Sequence, residues 1–157
     1  MSLATVLDAL QDSALAHAVS KSDHLVGALL QVGHIFGIIL LLGSLLLSNL
    51  RLLGWVLPDT PLQAVTRETR RYFRSGVVLT VVSGTLTFIS TARLYGVNWM
   101  FWLKMGLLVA AVAAHVLLLS RVLRQENPSR ATARHAAALT LVLWFGVGFA
   151  GRLIGFM

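Results

Sequence analysis

The chain has 157 residues, 57% of them hydrophobic and only 12% charged, where a soluble domain carries roughly a quarter charged. That length allows one domain, and a mean hydropathy of +0.79 points to an integral membrane protein. The absence of cysteine excludes disulfides, thiolate ligands and cysteine nucleophiles, and the placement of the charges excludes nucleic acid as the reason for a net charge of +7.

Residues 1–22 place Leu3, Val6, Leu7 and Leu10 at helical spacing, with Asp8 and Asp12 opposite. The run is too short to span a bilayer and lacks a basic leader, so it reads as an interfacial amphipathic helix and not a signal peptide. The first span covers about 24–50, with Gly33 and Gly37 forming a small-xxx-small pair suited to close helix packing. Pro58 and Pro61 break the chain, and 62–74 reads as a short basic helix on the inner surface. The second span, about 76–92, is rich in Thr and Ser, whose hydroxyls bond back to helix carbonyls and so are tolerated in lipid. A turn at Arg93–Asn98 leads into the aromatic belt Trp99, Phe101 and Trp102. The third span covers about 99–122, Asn127-Pro128-Ser129 marks a turn, and the fourth span covers about 133–156.

The expected fold is therefore all-α: an integral membrane four-helix bundle preceded by an interfacial helix, in one domain. Nine of the thirteen basic residues fall in two loops. One loop holds Arg51, Arg67, Arg70, Arg71 and Arg74; the other holds Arg121, Arg124, Arg130 and Arg134. The opposite side holds Lys21, Arg93 and Arg152 with Asp8, Asp12 and Asp23. The positive-inside rule makes the arginine loops cytoplasmic, facing anionic headgroups, and both termini periplasmic. The implied location is the bacterial inner membrane.

Ionisable residues inside spans are costly and mark function by default. His34 lies about ten residues into the first span, roughly 15 Å deep at 1.5 Å per residue. Gln31 and Gly37 share its face, one as a hydrogen-bonding neighbour and the other as flat room for a large ring. A histidine bonded across helices as structural glue is the alternative. Lys104 and His115 are eleven residues apart and point the same way; Lys104 is near enough to the outer boundary to snorkel, whereas His115 is enclosed by apolar neighbours. Alanines around His115 suit either a planar cofactor or close packing. His34 and His115 are the leading pair for a haem iron, at a depth difference of roughly 9 Å by helix counting. His115 with His135, and His24 at an outer site, are further pairings that spacing does not separate. Lys104 and Arg152 are candidates for haem propionates, and Arg152 serves equally as an anchor at the interface. No serine-histidine-acid set, carboxylate pair, phosphate loop or zinc signature is present, so no catalytic residue is assigned. The absence of acidic residues within these spans argues against a proton-coupled transporter.

The stretch His34-Ile35-Phe36-Gly37, with Gly43-Ser44 and Asn49-Leu50-Arg51-Leu52-Leu53-Gly54, resembles a bacterial four-helix membrane family of unknown function, which usually carries glutamate at Gln31 and aspartate at Asn49. More distantly, Tyr95-Gly96, Trp102-Leu103-Lys104 and His115 are similar in outline to the superfamily of CopD copper-resistance and HemJ-type protoporphyrinogen oxidase proteins. In HemJ-type proteins a first-helix histidine, an arginine at that helix's end and a third-helix lysine are characteristic; His34, Arg51 and Lys104 stand in comparable places. That resemblance implies haem b. The expectation is a membrane haem b protein passing electrons to a membrane or periplasmic redox partner. The alternatives are a copper-handling protein and a cofactor-free subunit of a larger membrane complex or homo-oligomer.

Overall fold

The structure is a computed structural model and describes residues 2–21, 24–124 and 129–156. Asp23 and the turn expected at Asn127-Pro128 lie outside the described residues. The described chain is helical: α1 Leu3–Gln11, α2 Ala14–Ser20, α3 His24–Leu53, α4 Leu62–Ser90, α5 Ala92–Gly96, α6 Trp99–Arg124 and α7 Arg130–Leu153, closed by a 3-10 turn at Ile154–Phe156. Four helices are long and apolar enough to cross a membrane: α3, α4, the Trp99–Val122 part of α6, and Ala131–Phe156.

Three sequence expectations are corrected. The amphipathic segment is two helices, because Ser13 stops one and starts the next. Its hydroxyl donates to the Leu10 carbonyl at 2.7 Å and accepts from the Ala16 amide at 3.2 Å. The basic segment 62–74 and the second span are a single helix, α4. At 29 residues it is about 43 Å long, against a hydrocarbon core of about 30 Å. Its arginine-bearing start is thus the polar extension of a spanning helix and not a separate helix lying flat. The second span ends at Ser90, and the turn expected at Arg93–Asn98 is largely one further short helix, α5.

α3 runs three residues past its expected end, and its stop is chemical. Gly54 adopts φ +76°, its amide bonds to the Arg51 carbonyl and the Trp55 amide to the Leu50 carbonyl, both at 3.0 Å. This is a Schellman ending, open to glycine because it lacks a Cβ. Arg51 then secures the following loop, donating from Nε to the Thr60 carbonyl at 2.7 Å and from Nη2 to that of Pro58 at 3.1 Å.

The chain divides into two compact units. The first, Met1–Leu42 with Tyr72–Trp99, contains α1, α2, the start of α3, the end of α4, and α5. Here α3 and α4 touch backbone to backbone. A methyl on Gly37 would fall 2.6 Å from Thr80 Oγ1, and one on Gly76 would fall 2.6 Å from the Leu41 amide nitrogen. α1 is fastened to α5: Leu7 is buried in the notch left by Gly96. Arg93 donates to Asp8 and Asp12, both at 2.7 Å, and its amide donates to Gln11 Oε1 at 2.8 Å.

The second unit, Gly43–Arg71 with Met100–Met157, contains the end of α3, the start of α4, α6 and α7. Its interior is built from Leu45, Val65, Ala111, Ala137, Trp144 and Val147. Ala111 and Ala137 are wholly buried, so these small residues serve close packing. Ser48 and Thr69 join α3 to α4 at 2.9 Å. Large side chains such as Leu29, Val32, Phe145 and Phe149 point outward, as lipid-facing positions of spanning helices do.

Candidate functional site

His34 sits on α3, half-buried, with its ring turned toward α4. Its Nδ1 lies 2.9 Å from Ser83 Oγ. The Ser83 hydroxyl donates to the Leu79 carbonyl at 2.6 Å, which commits its one hydrogen. Ser83 therefore accepts from Nδ1–H, and Nε2 is the basic nitrogen of the ring. Gly84 makes the approach possible: a methyl there would lie 3.1 Å from His34 Cε1.

Neither neighbour expected from the sequence holds this ring. Gln31 is exposed, and the structure gives His34 a serine on the next helix. Gly37 is buried and its open side is filled by Thr80 and Gly76, so it offers no room for a cofactor. Ser83 and Gly84 are the neighbours of His34 that spacing along one helix does not find. Their only signal was the run of hydroxyls in the second span.

His115 belongs to the second unit and is buried beside a cleft lined by Ser48, Asn49, Thr140, Leu52 and Leu118. The free space there is that of about one water molecule. A ligand pocket for a molecule of drug size needs roughly 300 Å³ or more, so within its unit His115 has no space for a porphyrin. His24 and His135 are both exposed, at the start of α3 and near the start of α7.

Lys104 is half-buried, and its side chain lies along α7, with Cε 3.4 Å and Nζ 3.6 Å from where a Gly151 Cβ would stand. Arg152, the next residue, is exposed and stacks its guanidinium 4.8 Å above the Phe156 ring. The two cations thus share one end of the second unit. Arg51 is occupied with loop carbonyls. Among the described residues no three His, Asp or Glu side chains form a group that could cage a metal ion.

Residues 12–157 match the model of DUF6644, a family of unknown function. The chain belongs to that family. No curated protein and no solved structure matches it. In this DUF6644 chain α1 precedes the matched segment, whereas His24, His34, His115 and His135 all fall inside it.

Proposed function

We propose that the chain is a multi-pass protein of the bacterial inner membrane, with cytoplasmic arginine loops and periplasmic termini, that holds haem b through His34 and passes electrons to a membrane or periplasmic redox partner. The observation that carries this reading is the series of hydrogen bonds from His34 to Ser83 to the Leu79 carbonyl. A histidine whose Nδ1–H is held by a neighbour presents Nε2 as a ligand in a fixed direction. Haem b, when bound, supplies reversible one-electron transfer at its iron. Ser83 sets the ring's tautomer and angle, and Gly84 lets the ring seat against α4.

A second reading is a cofactor-free subunit or assembly partner of a larger membrane complex, and the same bond favours it. A histidine joined to a serine across two helices is by itself interhelical glue.

One preparation separates the two. The protein purified in mild detergent is expected to show a Soret band and, after dithionite, a b-type α band. His34→Ala removes both, and Ser83→Ala lowers haem retention by about 10–100-fold, the range for losing a ligand's orienting partner. A colourless protein that takes up neither haem nor copper eliminates the first reading and leaves the second. Stoichiometric copper uptake without haem assigns copper handling instead.

A further inference from the structure

The polar residues around His115 come from three helices: Ser48 and Asn49 from α3, His115 from α6, and Thr140 from α7. All four are buried, with relative exposures of 2%, 3%, 8% and 3%. Four buried polar side chains converging in a membrane helix protein are expensive unless their hydrogen-bonding capacity is met.

Their donors are largely committed elsewhere. Thr140 Oγ1 donates to the Ala136 carbonyl at 2.7 Å. Asn49 Nδ2 donates to the Leu45 carbonyl at 2.9 Å. Ser48 Oγ donates to the Ser44 carbonyl and is hydrogen-bonded with Thr69 Oγ1, both at 2.9 Å. The lone pairs of the Ser48 and Thr140 hydroxyls and of the Asn49 carbonyl form a set rich in acceptors. What such a set takes is a donor. No lining residue is acidic or basic apart from His115, so a metal cation would find no counter-charge.

We propose that this cleft is a built site for one water molecule, which joins His115 to the side chains of Asn49 and Thr140 within the membrane. The free space admits a single water, and a buried water typically makes about three hydrogen bonds. Asn49 and Leu52 stand in the last turns of α3, just before Gly54. The α3 side of the site therefore lies near the end of that helix. His115 is thereby a polar group in contact with water, independent of whether His34 binds haem.

The test uses the full chain in lipid nanodiscs with histidine labelled in its ring nitrogens, and solid-state NMR correlation from water protons to those nitrogens. His115→Gln identifies the His115 signals. The expected result is a water correlation at His115 in the wild type, kept in Thr140→Ser and weakened several-fold in Thr140→Val and in Asn49→Leu. Absence of the correlation in the wild type overturns the proposal, and that arm needs no variant to fold. Undiminished correlation in both hydrophobic variants also overturns it. So does a shift of the His115 signals when sodium replaces choline at constant ionic strength, which would assign the cleft to a cation.

Discussion

Gly37 and Gly43 stand on the same helix, yet an added methyl group meets different surroundings at each. At Gly37 it would lie 2.6 Å from Thr80 Oγ1 and 2.9 Å from the Thr80 amide nitrogen, while at Gly43 nothing comes within 4 Å. Gly37→Ala is expected to cost about 1–3 kcal/mol as an overpacking change. Gly43→Ala should be neutral or stabilise by up to about 1 kcal/mol, because alanine suits helices better. Thermal unfolding in one detergent, followed by circular dichroism, compares the two; equal midpoints would refute the close contact. The glycine face of the first span was legible from its spacing. That Gly37, and not its expected partner Gly33, takes the close contact was not, because that depends on where Gly76 and Thr80 fall on a helix some 40 residues later. The same holds for His34, whose place on the first long helix was readable while Ser83, 49 positions away, was not.

Among the elements, α1 and α4 departed most from expectation, for different reasons. The amphipathic pattern of 1–22 was readable, but nothing in it pointed to Arg93 as the partner of its acidic face. Asp8 and Asp12 are one helical turn apart, which lets a single guanidinium on α5 bridge them. All three side chains are about half exposed, and exposed ion pairs are weak and screened by salt. Arg93→Ala is therefore expected to speed hydrogen exchange in α1 only a few-fold, and added salt should do the same to the wild type. Arg93 is held above the ordinary arginine range, first by its hydrogen bond to Asp8, with Asp12 contributing through its charge. For a base so raised, the stabilisation is complete below the ordinary value and is lost only as pH rises through the raised one. Mildly alkaline buffer should therefore leave α1 exchange unchanged on Arg93's account. For α4, the proline pair correctly marked a break before it. The arginines then suggested a boundary near Ser75 that the backbone does not have, since charged residues continue a helix freely once it leaves the apolar layer.

For the molecule as a whole, the four spanning segments were the most legible feature. Twenty apolar residues in a row have few alternatives to a spanning helix. The proposed topology puts the two ends on one side and the arginine loops on the other. The native chain has no cysteine, so single variants Ser2→Cys, Phe156→Cys and Ser129→Cys report topology without background. In intact spheroplasts, a membrane-impermeant maleimide should label the first two and spare the third until the cells are opened. Labelling of Ser129→Cys before lysis would reverse the proposed orientation.

The continuity of α4 also bears on how the protein is made. Its most apolar window has a mean hydropathy of 1.4, against 2.3 for α3, and its face toward α3 is glycine and hydroxyl. Such a segment partitions weakly into lipid on its own. α3 emerges from the ribosome first and offers the matching surface at Gly37, Leu41 and His34. Insertion of α4 should therefore depend on α3 already being in the bilayer. Deleting His24–Leu53 should leave a cysteine placed within α4, as in Val82→Cys, open to a water-soluble maleimide, which makes the first hairpin, and not the single helix, the unit of membrane entry.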